Sequence, residues 1–147
     1  MIEEFQGDNR WLSNFWLVVI QHNGRIFRSV EHAYQASKFE EITPIVEEIQ
    51  NSKTPGEAKK LGKKYKHLVR KDWNEINLQI MEELVRKKFQ DRELRRKLLA
   101  TGEQTIQEGN WWHDEFWGYN FHTGKGLNHL GKIIMKIRDE IRKEVNK

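Results

Sequence analysis

The C-terminal segment of this 147-residue chain, LNHLGKIIMKIRDEIRKEVNK, is the feature that most constrains the fold. Its apolar side chains recur every three or four residues, which is the spacing of an α-helix with one buried stripe. A stripe of this length needs a hydrophobic core to face, so we predict a long closing helix. Its predicted inward-facing positions are Leu127, Leu130, Ile134, Ile137, Ile141 and Val145.

Cap residues mark three helix starts upstream of this segment. Ser29 is a predicted N-cap for a helix that runs to about Glu40. Thr43-Pro44 predicts a second helix, with threonine as the cap and proline at the first helical position. Thr54 begins a third helix in the same way, and Glu57 adds the acidic residue of a capping box.

Two further helices are predicted from apolar spacing alone. The segment DRELRRKLLATG begins a helix near Asp91 and ends it at Gly102. The segment DWNEINLQIMEELVRKKF is the clearest amphipathic helix of the middle region. Its apolar positions are Trp73, Ile76, Ile80, Leu84 and Val85.

The segment WLVVIQHNGRIFRS predicts a β-hairpin near the N-terminus. Its strands are Leu17 to Ile20 and Arg25 to Phe27, and Asn23-Gly24 is a strong type I′ turn signal. Residues 105–126 show neither the apolar spacing of a helix nor the alternation of a strand. No internal repeat or low-complexity linker appears in the chain. We therefore predict a mainly α (α+β) fold: a multihelical single domain over residues 1–147 with a small N-terminal β-hairpin.

Composition narrows the class of protein and its partners. The chain has no cysteine, which removes disulfides, thiol nucleophiles and cysteine-based zinc sites. No apolar run approaches a spanning helix and no secretory signal is visible, so we expect a cytoplasmic protein with no membrane partner. The six histidines lack ligand spacing, so we predict neither a metal site nor a cofactor. A net charge of +4 favours anionic partners, although a solvated basic surface is the simpler explanation.

Two polar segments in the N-terminal half contain candidate functional residues. Ser13 and Asn14 lie between aromatic residues in WLSNFW, where a turn with buried tryptophans is the competing interpretation. In the helix after Ser29, the residues Glu31, Tyr34, Gln35 and Lys38 share one face. A carboxylate can activate water or stabilise a sugar cation, and a lysine can be a nucleophile or bind phosphate. The alternative is a solvent-facing polar stripe.

Two more candidates lie in the C-terminal half. In NWWHDEFWGYNFH, Asp114 stands three residues before Trp117, whose ring could stack on a base. An aromatic loop that covers the core explains this segment equally well. In TGKGLNHLG, the run Gly124–Gly126 precedes a helix and includes Lys125, which suits an anion. It lacks the Walker A spacing, and a flexible turn with a helix cap is the alternative.

Four segments together resemble the NADAR family, in order from Trp11 to Arg142. WLSNFW is similar to its N-terminal S-N-F element, and SVEHAYQASKF to its S-E-H-x-x-Q-x-x-K-F signature. VRKDWNEINLQIM resembles the segment with R-x-x-W. HDEFWGYNFHTGKGLNHLGKIIMKIRDEI resembles the C-terminal D-x-x-W-G block. One departure follows the W-G pair, where Tyr119, Asn120 and Phe121 replace the family's more usual acidic and glycine-rich segment.

The resemblance implies hydrolysis of an N-glycosidic bond, without a cofactor. Family members cleave phosphoribosylated pyrimidine intermediates of riboflavin synthesis, and others remove ADP-ribose from guanine bases. The implied substrate is therefore an ADP-ribosyl or phosphoribosyl small molecule, with ADP-ribosylated DNA or RNA as a further candidate. The implied catalytic residues are Glu31, Lys38 and Asp114. The implied substrate-binding residues are Ser13, Asn14, Tyr34, Trp73, Trp117, Gly118, Gly124, Lys125, Gly126 and Asn128.

A mechanism follows from these expectations. The phosphate end would lie at Lys125, the adjacent glycine amides and Lys38, and the base would stack on Trp73 or Trp117. Glu31 or Asp114 would stabilise the positive charge at C1′. Two alternatives stay open: a non-catalytic ADP-ribose or nucleotide-binding module, and a basic nucleic-acid-binding protein.

Overall fold

The computed structural model describes the whole chain, Met1–Lys147, which divides into two compact units. One unit is Asn14–Lys88, and the other combines Met1–Ser13 with Phe89–Lys147. No helix is both long enough and apolar enough to cross a membrane. In chain order the elements are β1 (Ile2–Glu4), β2 (Ile20–His22), β3 (Arg25–Phe27), α1 (Val30–Ser37), α2 (Thr43–Gln50), α3 (Pro55–Lys64), α4 (Trp73–Lys88), α5 (Arg92–Ala100), β4 (Ile106–Asn110), β5 (Tyr119–Asn120) and α6 (His129–Val145), with short 3₁₀ helices at Gly7–Leu12 and Lys66–Leu68.

The hairpin of the Asn14–Lys88 unit is confirmed, with a shifted first strand. Ile20 pairs with Phe27 in an antiparallel register, and both turn residues have positive φ, 51° at Asn23 and 75° at Gly24. The prediction that the first strand begins at Leu17 was wrong. Leu17 is exposed and precedes the ladder, which begins at Ile20, the first buried side chain of this segment.

Helix α1 is the centre of this unit, since α2, α3, α4 and the hairpin all pack against it. Its predicted N-cap is confirmed: the Ser29 hydroxyl accepts a hydrogen bond from the His32 backbone N–H at 3.1 Å. The predicted end at Glu40 was wrong, because α1 closes at Ser37. The N–H of Phe39 donates to the carbonyl of Ala36, a tighter bond than the α-helical one, and this ends the helix.

The next two helix starts follow the predicted signals with small differences. Ile42, rather than Thr43, is the residue before α2, and it offers no side-chain cap. Thr54 caps α3 as predicted by accepting from the Glu57 N–H. The Glu57 carboxylate accepts a hydrogen bond from the backbone N–H of Lys53, and not from the N–H of the cap residue Thr54 as in a capping box.

A parallel three-stranded sheet in the other unit was not predicted. β4 pairs with β1 on one side and with β5 on the other, and α6 packs against β4. Close strand contact requires Gly109 in β4, since a Cβ there would lie 2.2 Å from the Glu3 carbonyl oxygen. The sequence of β4, IQEGN, lacks apolar alternation because these backbone pairings, rather than side chains, define the strand.

The closing helix is confirmed, and two of its predicted inward positions were wrong. α6 begins at His129, so Leu127 precedes it and is 52% exposed, while Val145 at its end is 57% exposed. The four predicted positions between them are buried. The mainly helical fold with a small N-terminal hairpin is therefore confirmed, and the single-domain boundary 1–147 stays a prediction.

We expect Ser29→Ala to lower the free energy of unfolding by about 1–2 kcal/mol, because it removes a buried N-cap. The same hydroxyl lies 2.7 Å from His32 Nδ1, so the substitution also removes a buried partner of that ring. Urea unfolding followed by circular dichroism measures the change. Thr54→Ala, at the exposed cap of α3, is the control and should lose less. Equal losses of unfolding free energy in the two variants would show that burial of the Ser29 cap adds nothing to its stabilising effect.

Candidate functional site

The polar face of α1 is buried, so the solvent-facing alternative is wrong. Glu31 is 8% exposed and Gln35 is 5% exposed. The backbone N–H of Glu31 donates to the carbonyl of Asn14 at 3.1 Å. This bond ties the candidate Asn14 to the first turn of α1, where the helix dipole favours a carboxylate. A buried carboxylate must have compensating partners, because burial disfavours its charged form.

One such partner of Glu31 is Gln35, one turn further along α1. The Gln35 amide donates from Nε2 to Glu31 Oε2 at 2.7 Å, and this hydrogen bond is itself buried. A donor on the charged form of a carboxylate stabilises that form. Gln35 was seen on the polar face from its spacing but was not among the implied site residues.

Lys38 lies beside an aromatic wall formed by Tyr34 and Trp73. The two ring centroids are 5.0 Å apart, and Lys38 Nζ lies 5.5 Å from the Tyr34 centroid and 6.0 Å from that of Trp73. Burial lowers the pKa of the Lys38 amine, and nearby Lys59 lowers it further, while Glu31 raises it. The structure therefore brings a carboxylate, an amine with a lowered pKa and two neighbouring aromatic rings together in one unit.

Arg70 explains how Trp73 reaches this place. The Arg70 N–H donates to the Lys38 carbonyl at 3.0 Å, which joins the start of α4 to the end of α1. Its guanidinium binds Asp72 and Glu40, each at 2.6 Å. A cavity of about 830 Å³ adjoins these groups. Its lining residues are Lys38, Phe39, Glu40, Glu41, Ile42, His67, Leu68, Val69, Arg70, Lys71 and Asp72.

In the other unit, Asp114 organises the turn that carries the W-G pair. Its Oδ1 accepts from the N–H groups of Phe116 at 3.0 Å and Trp117 at 2.9 Å. The Asp114 N–H donates to the side chain of Asn110, a buried residue that sequence reasoning missed. The Asn110 amide also donates to the Asp114 and Tyr119 carbonyls. Asp114 thus acts as the acceptor of a local Asx-type turn.

The glycines of the C-terminal block allow close backbone packing. A Cβ on Gly118 would lie 2.2 Å from the Glu108 carbonyl oxygen, and one on Gly126 would lie 2.2 Å from the Gly118 oxygen. Gly124 instead has a positive φ of 68°. Asn128, also at positive φ, accepts from the Glu108 N–H and donates to the Ile106 carbonyl. These contacts give Gly118, Gly126 and Asn128 a role in holding β4, β5 and α6 together.

The amides at the start of α6 are already paired within the protein. Residues 127–130 donate their N–H groups to the carbonyls of Glu115, Gly118, Phe116 and Trp117 respectively. The Gly124 N–H donates to Asn120, and that of Lys125 to the Thr123 hydroxyl. The Lys125 side chain is exposed. The amides of Gly124 and Lys125, two of those expected to bind phosphate, are therefore already paired within the protein, and Lys125 would act through its exposed side chain.

The candidate residues divide between the two units. Asn14, Glu31, Tyr34, Lys38 and Trp73 belong to the Asn14–Lys88 unit, where the contacts above join them. Ser13, which ends the Gly7–Leu12 3₁₀ helix, belongs to the other unit with the C-terminal candidates. Those are Asp114, Trp117, Gly118, Gly124, Lys125, Gly126 and Asn128.

The family model described as "NADAR domain" matches residues 3–142 of this chain. The chain belongs to the NADAR domain family. The buried Glu31, its neighbour Lys38 and the W-G turn therefore lie within a matched domain and not in an appended segment.

Relatives at 35–41% identity agree with this membership. An N-glycosidase of Nostoc punctiforme is 41% identical over 133 residues, 88% of this chain and 84% of the relative. The N-glycosidase YbiA of Escherichia coli is 35% identical over 130 residues, 88% of this chain and 79% of the relative. A riboflavin biosynthesis protein of Vibrio vulnificus is 36% identical over 132 residues, 89% of this chain. The chain spans only 35% of that protein's length.

A solved structure gives the same fold. The NMR structure of E. coli YbiA superposes with a TM-score of 0.85 and 32% identity, covering 100% of this chain and 90% of the other. The likeness confirms the multihelical architecture of the NADAR domain described above.

We expect Lys38→Met to be more stable than the wild type at neutral pH. The native pKa of Lys38 is lowered, so below that pKa the folded protein holds a desolvated ammonium. As the pH rises towards the usual lysine pKa of about 10.4, the native state loses this proton before the unfolded state does, and wild-type stability rises. The difference between variant and wild type should therefore shrink with pH.

Urea unfolding at a series of pH values measures this difference. Lys63→Met, at an exposed position of α3, is the control, and its difference from the wild type should not follow the same trend. A stability gap for the Lys38 variant that widens with pH would contradict the lowered pKa.

Proposed function

We propose that the protein is an N-glycosidase that hydrolyses the bond between a ribose C1′ and a nitrogen base. The observation that carries the proposal is the buried carboxylate of Glu31. It accepts a hydrogen bond from Gln35, and Gln35 stands one helical turn before Lys38. The family membership and the names of the N-glycosidase relatives support the same reaction class.

Departure of the base leaves an oxocarbenium-like cation at C1′, and Glu31 is suited to stabilise it. A carboxylate in a dry site interacts with developing positive charge far more strongly than one in water. The fixed orientation of Glu31 matters because no reorganisation is then required when the charge develops. The base leaves with the electrons of the C–N bond and takes up a proton. Water then adds to the C1′ cation and loses a proton, so the products are the free base and a ribose with a hydroxyl group at C1′.

Lys38 has two chemically distinct roles available at this site. Its lowered pKa raises the fraction of neutral amine, which can attack an opened ribose at C1′. In its ammonium form it can instead bind a phosphate oxygen. Tyr34 and Trp73 offer ring faces on which the base can stack.

Two substrate classes fit this chemistry: phosphoribosyl-pyrimidines of riboflavin synthesis and ADP-ribosylated guanine, free or in nucleic acid. The relative named as a riboflavin biosynthesis protein supports the first class. The cavity of about 830 Å³ beside Lys38 has room for a nucleotide-sized group. The non-catalytic alternative predicts tight binding of the same ligands without release of free base.

We expect Glu31→Gln to abolish base release and to leave the fold intact. The amide keeps the size of the side chain and an oxygen that can accept from Gln35, but it carries no charge to stabilise C1′. Mass spectrometry of released base, with a phosphoribosyl-pyrimidine and ADP-ribosylated guanosine as separate substrates, measures the loss. A loss of roughly a hundredfold or more is expected for a group that supplies electrostatic stabilisation.

Glu75→Gln is the matched control for this experiment and should keep full activity. Glu75 is exposed on α4 and does not line the neighbouring cavity, so the substitution removes one carboxylate without touching the buried pair. Full activity of the Glu31 variant would overturn the proposal. Ligand binding by the wild type without any base release would favour the binding-module alternative.

We propose that Asp114 acts through the turn that its side chain caps in its own unit. We expect Asp114→Asn to keep most activity, because its oxygen can still accept from the Phe116 and Trp117 N–H groups. Asp114→Ala loses both bonds and should lower kcat/KM by roughly tenfold or more, in line with about 1–3 kcal/mol for donors left unpaired. Equal, large losses in both variants would instead assign Asp114 a charge-dependent catalytic role.

A further inference from the structure

α3 packs against α1, and its Gly62 faces the Gln35 side chain of α1. A Cβ built on Gly62 would lie 1.9 Å from Gln35 Oε1 and 2.8 Å from its Cδ, far inside any allowed contact. Gly62 is buried, so the Gln35 side chain could not avoid such an atom without leaving its present position. Any residue other than glycine at position 62 therefore requires Gln35 to move.

The Gln35 amide is held in an orientation that does not satisfy its own hydrogen-bonding capacity. Its Nε2 donates to Glu31, while its Oε1 is buried with no hydrogen-bond partner. A rotated amide would place two oxygen acceptors against each other at Glu31, which is repulsive. A buried acceptor without a partner costs about 1–3 kcal/mol, and the bond to Glu31 holds the amide in this orientation in spite of that cost.

We propose that Gln35 is a positioning residue for Glu31, and that Gly62 keeps it in place by leaving room for its amide. The inference rests on the proposed function, since it concerns the carboxylate assigned there to C1′. The hydrogen bond fixes the Glu31 carboxylate in one orientation and favours its charged form. The unpaired Oε1 is the structural cost of that arrangement.

Gly62→Ala tests the proposal with Gly56→Ala as a control on the same helix. A Cβ on Gly56 would find Thr54 Oγ1 at 3.8 Å as its nearest neighbour, an ordinary contact. Both substitutions make the same chemical change within α3. We expect Gly62→Ala to lower kcat by roughly ten- to a hundredfold, the range for a lost hydrogen bond to a charged group, with KM changed far less. Gly56→Ala should leave both parameters within about twofold.

A double-mutant cycle separates a positioning role from general damage to the helix contact. Gln35→Ala removes the side chain that the new methyl group meets, so Gly62→Ala should cause no further loss of kcat in that background. Additive losses of kcat in the cycle would overturn the proposal, as would full activity of Gly62→Ala alone.

Gln35→Met is a second variant that does not depend on how α3 tolerates a methyl group. Methionine keeps the length of the side chain and removes both the donor and the unpaired acceptor. We expect its kcat to fall as in Gly62→Ala, with KM changed far less. Unchanged kcat in Gln35→Met, together with an inactive Glu31→Gln, would overturn this inference and leave the proposed function standing. An active Glu31→Gln would overturn the proposed function itself.

Discussion

Burial of the Glu31 carboxylate is the constraint on which the Asn14–Lys88 unit depends. A charge removed from water needs hydrogen bonds and favourable fields, and α1 supplies both through Gln35 and through its own N-terminal dipole. This explains the small and aromatic composition of α1, all of whose residues are buried. Neighbouring elements have to leave room for its polar side chains, and α3 does so at Gly62, which faces Gln35.

The same unit shows a balance between stability and chemistry. Lys38 is held where burial disfavours its charge, and Gln35 keeps an unpaired oxygen in the interior. Both features lower stability, and both belong to the group around Glu31. Local conflicts of this kind are expected at functional sites, where selection acts on the reaction as well as on the fold.

Cap chemistry and helical spacing predict most of the helices because those signals are local in sequence. Ser29 and Thr54 accept hydrogen bonds from the first turns of the helices that they were predicted to cap, and Asp91, near which a helix was predicted to start, does the same. The parallel sheet could not be predicted, because β1 and β4 are distant in sequence and pair through backbone groups. The polar face of α1 was visible from its spacing, but its burial depends on three other helices and was not.

The packing of Gly118 and Gly126 has a consequence for how relatives are recognised. These glycines define the C-terminal motif, yet they record where backbones touch in one unit. The proposed reacting groups lie in the sequence of the other. A homologue could therefore keep these glycines and still have lost Glu31, so the C-terminal block by itself does not report on the proposed activity.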